Sequence, residues 1–130
     1  MANLSRRARI LVIEDDPIIA LTLGLLLTQL GHSVIGPFTA ATQARRAMYA
    51  EPIDLALLDL QFDEETAFSL AASLSESRVS VAFLTGYADK ELPDSYRYLP
   101  LVSNSVGASE LERVVQSIML RSAAAARPPC

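Results

Sequence analysis

Residues 9–17 of the chain read RILVIEDDP, and this stretch gives the first indication of the fold class. Its first part, Arg9–Ile13, is a short and mostly apolar run, which predicts a strand buried on both faces of a sheet. Three acids follow at residues 14–16. Pro17 suits the first position of a helix, and Asp16 suits its N-cap. The stretch therefore predicts a buried strand that ends in carboxylates and leads directly into a helix.

The same alternation of strand and helix recurs along the chain. The further strands are predicted at 33–38, 54–58, 79–84 and 99–102, and the helices at 17–30, 39–50, 65–77, 88–97 and 108–121. Pro93 lies in the middle of the fourth helix, which is therefore expected to be short or irregular. Five such units predict an α/β, flavodoxin-like, doubly wound sheet of five parallel strands in the order 2-1-3-4-5. We expect one domain over residues 1–122 and a flexible C-terminal tail over 123–130.

Composition limits the possible functions. Of the 130 residues, 51% are hydrophobic and 20% are charged, which is enough apolar material for a core. The net charge of -4 argues against a nucleic-acid surface, which would need a basic stripe. The most apolar segment, 18–30, is shorter than the roughly 20 residues that a membrane span requires. The only cysteine is Cys130, so a reducing compartment is expected and we predict a cytoplasmic location.

Acidic residues are predicted to meet at one edge of the sheet. In this architecture ligands bind beyond the carboxyl ends of the strands, at the switch point between strands one and three. Glu14 and Asp15 follow strand one, and Asp59 follows strand three. Crowded carboxylates repel one another unless a cation is present, and Mg2+ prefers such oxygen ligands. A carboxylate beside Mg2+ can act as a nucleophile toward a phosphoryl group, and Thr85 at the tip of strand four could donate a hydrogen bond to it.

Three motifs at three strand ends carry a family resemblance. They are ILVIEDD at 10–16, DLALLD at 54–59 and VAFLTGY at 81–87. In this order they resemble the receiver domains of bacterial two-component signalling, over essentially residues 9–121. The third motif, followed by a helix broken by proline, is similar to the "FAT GUY" branch of that family. Members of the branch are often single-domain proteins served by histidine kinases of the HWE or HisKA2 type.

The resemblance implies a role for each site residue. Asp59 would be the phosphoacceptor, Thr85 the switch hydroxyl, and Glu14, Asp15, Asp59 and the main chain of Gln61 would hold Mg2+. The phosphodonor would be a sensor histidine kinase. A receiver of this kind is not an enzyme and assists only its own Mg2+-dependent phosphorylation and dephosphorylation. Because no output domain is expected in the remaining residues, the output would be contact with another protein.

The sequence also departs from the receiver pattern. Receivers normally carry a lysine after strand five, and here Asn104 occupies the aligned position. Asn104 can donate a neutral hydrogen bond, but charge-assisted bonds are roughly twice as strong. The loop that follows Asp59 adds three acids over residues 63–65, where relatives tend to have small residues. Lys90 is the only lysine of the chain, and it could either replace the missing cation or lie unused on the surface.

Three hypotheses about function remain open. The first is a stand-alone receiver that is phosphorylated on Asp59. The second is a degenerate receiver that acts as a phosphate-independent protein-binding module, which the Asn104 substitution favours. The third is a phosphatase of the haloacid-dehalogenase type, which would need a second aspartate where this chain has Gln61.

Two further expectations concern the surface. If Ile19, Leu23 and Leu27 face the sheet, a second apolar stripe of Ile18, Leu21 and Leu25 faces outward on helix one. That stripe could pack against a long side chain or a second copy in a homodimer, or it could be a docking face for the helices of a partner. His32 follows Gly31 and is predicted to be a surface turn residue.

Overall fold

The computed structural model describes residues 7–60, 64–86, 99–103 and 107–126. The strands are β1 (Arg9–Ile13), β2 (Ser33–Phe38), β3 (Leu55–Asp59), β4 (Ser80–Thr85) and β5 (Leu101–Ser103), and the helices are α1 (Pro17–Gln29), α2 (Ala41–Ala50), α3 (Glu64–Glu76) and α4 (Ala108–Ala126). All strand pairings are parallel, in the order β2-β1-β3-β4-β5. The predicted flavodoxin-like fold class is confirmed. The helix predicted over 88–97 lies outside the described residues.

The sheet separates two hydrophobic cores. On one face α2 and α3 cover side chains that include Leu58 and Phe83, and on the other α1 and α4 cover side chains that include Leu57 and Leu84. All five residues of β3 are buried. A strand with a core on each side cannot alternate between apolar and polar residues, which is why β1 and β3 are almost continuously apolar.

Both ends of α1 are capped as its sequence predicts. The Asp16 carboxylate accepts hydrogen bonds from the backbone N–H groups of Ile18 and Ile19, at 2.9 and 3.2 Å. At the other end Gly31 adopts a φ of +95°, which glycine alone adopts without strain. The N–H of Gly31 then donates to the carbonyl of Thr28, and the N–H of His32 donates to the carbonyl of Leu27. This pattern is a Schellman motif, and it fixes where the helix ends.

The last helix is longer than its sequence pattern predicted. α4 continues to Ala126, into the segment that we expected to be a tail from residue 123. Residues 123–126 are all alanine, the residue with the highest helix propensity, which favours the continuation of the helix. Among the described residues, no helix combines the length and the apolar character that a membrane crossing demands.

The prediction for His32 is wrong, because this side chain is buried. The backbone N–H of Ala8 donates to His32 Nδ1 at 3.0 Å, and His32 Nε2 lies 2.7 Å from Glu112 Oε1. Since Nδ1 accepts a hydrogen bond, the ring proton is assigned to Nε2, which donates to Glu112. The partner lies 80 positions away in the chain, so no local pattern could indicate it. His32 thus joins the start of β1 to α4.

Candidate functional site

The predicted site residues meet at the carboxyl edge of the sheet. Ile13 pairs with Leu58 across β1 and β3, so the residues that follow them, Glu14 and Asp59, lie side by side. Asp59 in turn pairs with Leu84 across β3 and β4, which places Thr85 one step further along the neighbouring strand. The site therefore lies where the strand order reverses between β1 and β3, as the doubly wound topology requires.

Three carboxylates form one cluster there. Glu14, Asp15 and Asp59 each offer an oxygen, and these oxygens all lie within 4.8 Å of one another. Glu14, Asp59 and Thr85 are each only 1% exposed, whereas Asp15 is exposed. Glu14 and Asp15 also line a cleft that continues along the start of α1 to Ile19. The cluster is therefore buried at its base and open to solvent on the α1 side.

The burial and crowding of these carboxyl groups change the pKa of Glu14. Burial, a hydrogen bond to Asp59 and the charge of Asp59 together raise the pKa of Glu14 from 4.5 to about 8, and burial is the largest of these causes. The backbone N–H of Asp16 donates to Glu14 Oε1 at 3.2 Å and opposes the rise. Without a cation, Glu14 is therefore held protonated around neutral pH.

A hard divalent cation fits this cluster. Glu14 Oε2 is buried and has no hydrogen-bond donor among the described residues, which is costly for the ionised form of this group unless a cation is bound. All side-chain donors of the cluster are carboxylate oxygens, the ligands that Mg2+ selects. A bound cation would displace the proton of Glu14 and let this carboxyl group ionise beside Asp59.

The metal-free fold should lose stability as the pH rises from 4.5 to 8. Glu14 gives up its proton at about 4.5 in the unfolded chain but at about 8 in the fold, so the folded state binds more protons in this window. In EDTA, urea unfolding should show the free energy of unfolding falling across the window. Glu14→Gln should flatten most of that fall, and the exposed Glu110→Gln should not. An equal slope in wild type and Glu14→Gln would show that Glu14 is not held protonated.

A kink in β2 positions Glu14 and was not predicted from the sequence. Gly36 has a φ of +105°, and a Cβ at this residue would lie 2.8 Å from the backbone nitrogen of Phe38 and 3.0 Å from the carbonyl oxygen of Val12. The register of β1 and β2 shifts at this point. As a result the N–H of Glu14 donates to the carbonyl of Phe38 at 3.0 Å. The signal was available as a Gly-Pro pair inside an apparent strand, which often marks a bulge.

Three residues singled out from the sequence lie outside the described residues. They are Gln61, whose main chain was expected at the metal, Asn104, at the position of the usual lysine, and Lys90. Their roles remain predictions. The described part of the site consists of Glu14, Asp15, Asp59 and Thr85.

A buried aspartate at the end of the third strand, beside acids from the first, on a sheet of order 2-1-3-4-5, is the arrangement expected of a phosphoacceptor regulatory domain. Comparison with known proteins agrees with this class. The chain belongs to the family of response regulator receiver domains, whose model matches residues 10–98. Receiver domains of this family are regulatory modules of two-component systems that are phosphorylated on an aspartate, and they generally are not enzymes.

Several proteins of known sequence are similar to this chain. It is 31% identical to the transcriptional regulatory protein GlrR of Escherichia coli over 68% of this chain and 20% of GlrR. It is 36% identical to the phyllosphere-induced regulator PhyR of Methylorubrum extorquens over 64% of this chain and 32% of PhyR. The chain thus spans about a fifth to a third of the length of these relatives.

Solved structures agree on the fold. A response regulator from Thermotoga maritima superposes with a TM-score of 0.76 at 22% identity, covering 88% of this chain and 99% of that one. The response regulator TrrA from the same organism, solved in complex with Mg2+ and BeF, gives a TM-score of 0.72 at 22% identity, covering 85% and 98%. At such identities the likeness establishes the fold alone.

Proposed function

We propose that this receiver accepts a phosphoryl group on Asp59 from a sensor histidine kinase and signals through contact with another protein. The observation that carries the proposal is the burial of Asp59 within 4.8 Å of two further carboxylates at the switch point of the sheet. A stand-alone role and a cytoplasmic location remain predictions from the sequence. The same holds for membership of the "FAT GUY" branch and for an HWE or HisKA2 type of kinase.

Each described site residue has a distinct task in this proposal. An oxygen of Asp59 forms the bond to phosphorus while the bond between phosphorus and the donor breaks. Mg2+, held by Glu14, Asp15, Asp59 and the main chain of Gln61, would neutralise the negative charge that the reaction brings together. Thr85 ends the strand next to Asp59, so its hydroxyl can donate to a phosphoryl oxygen and link the reaction to the loop that follows.

A degenerate, phosphate-independent receiver is the second candidate. Asn104 follows β5 directly in the sequence, at the position where receivers carry a lysine. A neutral amide stabilises a phosphoryl group less than an ammonium does. Asn104 thus favours the phosphate-independent receiver, whereas the intact acidic cluster and Thr85 favour phosphorylation. The haloacid-dehalogenase alternative lacks the second aspartate that its chemistry needs.

Mg2+ should stabilise the fold through the acidic cluster. A ligand that binds only the folded state adds about 2.7 kcal/mol of stability at a hundredfold excess over its dissociation constant. Millimolar MgCl2 should therefore raise the melting temperature of the wild type. Asp15→Ala should abolish this rise, because Asp15 is an exposed ligand whose removal leaves the core intact.

Glu76→Ala is the matched control, because Glu76 is an exposed acid at the end of α3. It should keep the full response to Mg2+. A wild-type melting temperature that does not change with Mg2+, or an equal change in Asp15→Ala, would contradict this metal site.

A further inference from the structure

The outer face of α1 is apolar and exposed. Ile18, Leu21 and Leu25 are 76, 63 and 55% exposed, as the second stripe on this helix predicted. Their inward counterparts, Leu23 and Leu27, are at most 1% exposed and belong to the core. Of the five large hydrophobic residues that are exposed in the described part of the chain, three lie on this one face. A concentration of this kind marks an interaction surface.

The spacing of these residues fits a helix as the partner. Ile18, Leu21 and Leu25 follow one another at intervals of three and four residues, the spacing of the seam of a helix pair. Thr28 continues the seam, and Thr22 lies beside it. The Thr22 hydroxyl donates to the carbonyl of Ile18 at 2.8 Å, so this polar group is satisfied within the helix and need not face water. The face can therefore be covered by a second helix at little polar cost.

The distribution of charge on and around α1 indicates which partner helix fits this face. The chain carries a net charge of -4, so a second copy is repelled by most of the surface. α1 contains no charged residue over its 13 positions, and two copies can therefore meet along it without opposing like charges. The ends of the helix are complementary. The exposed acids Asp15 and Asp16 precede it, and the exposed Arg7 lies at its far end, where its Nε donates to the carbonyl of Gly31 at 3.0 Å.

We propose that the α1 face binds the α1 face of a second copy of this chain in an antiparallel, two-fold symmetric pair. α1 is about 20 Å long. Antiparallel packing across a two-fold axis would set Arg7 of each copy beside the acids at the start of α1 in the other. Ile18, Leu21 and Leu25 would form the shared apolar seam. Because the seam is short compared with a standard interface, the dimer is weak and reversible, and it forms at micromolar to near-millimolar concentration.

Sedimentation velocity of the metal-free chain in EDTA, over this concentration range, tests the pair. The wild type should move from monomer to dimer. Leu21→Glu should raise the dissociation constant at least about tenfold, because it sets two like charges at the centre of a dehydrated seam. Tyr49→Glu is the matched control. Tyr49 is 86% exposed on α2, on the opposite layer, and should leave the dissociation constant unchanged.

A charge exchange tests the orientation. Arg7→Asp should weaken the dimer, and adding Asp15→Arg to Arg7→Asp should restore it. A wild-type chain that stays monomeric throughout the range overturns the proposal. The α1 face would then bind helices of another protein or another segment of this chain. A dimer that survives Leu21→Glu, or that Tyr49→Glu weakens equally, places the contact elsewhere. Failure of the second charge to restore the dimer overturns the antiparallel arrangement.

Discussion

Incubation with Mg2+ and acetyl phosphate is expected to add one phosphoryl group to the wild-type chain and none to Asp59→Asn. Asp59 is buried at the carboxyl edge of β3, within 4.8 Å of the acids that would hold the cation. The amide of asparagine keeps the shape of the side chain but cannot form the acyl phosphate. Intact mass spectrometry reads the result directly, and it is the most informative single measurement on this protein.

Two controls keep that experiment interpretable. Glu76→Gln changes an exposed carboxylate of α3 and should leave the mass shift unchanged. EDTA should suppress the shift in the wild type, because the cluster would again hold a proton in place of a cation. No shift in the wild type, with a fold that still responds to Mg2+, would favour the degenerate receiver. A shift that persists in Asp59→Asn would assign the phosphoryl group to another residue.

Asn104→Lys is expected to tighten the binding of a phosphoryl mimic such as beryllofluoride by about tenfold. The substitution restores the cation that receivers normally carry after the fifth strand. At an effective dielectric near 20, two unit charges 4 Å apart interact by about 4 kcal/mol before desolvation is subtracted. A third of that energy corresponds to roughly a factor of ten in an equilibrium constant. Titration of the mimic at fixed Mg2+ concentration measures the change.

Lys90→Ala separates the two possible sources of positive charge. If Lys90 already serves as the displaced cation, Lys90→Ala should weaken mimic binding severalfold and Asn104→Lys should have little effect. If Lys90 is an unused surface residue, Lys90→Ala should leave mimic binding unchanged. No effect of either substitution would mean that the pocket no longer works as a phosphoryl site, whatever its affinity for Mg2+.

The chain order of the elements and their type could be predicted from local patterns. The apolar runs before Glu14 and Asp59 are short and uninterrupted because both faces of β1 and β3 are buried, and this signal is independent of the rest of the chain. The position of a carboxylate immediately after such a run places it at the carboxyl edge of a parallel sheet. The fold class followed from these local facts, as did the expectation that Glu14, Asp15 and Asp59 lie together at that edge. The family comparison agrees with the fold and the class.

Properties that depend on residues distant in sequence became visible only once the elements were packed together. His32 can be buried because Ala8 and Glu112 satisfy both of its ring nitrogens. No sequence pattern near His32 indicates either contact. The shift in the pKa of Glu14 likewise arises from burial and from Asp59, which lies 45 positions away. A sequence pattern indicates the hydrophobic periodicity of a single helix or strand and the residues that cap a helix. Which polar groups meet in the interior, and at what electrostatic cost, is decided when those elements pack.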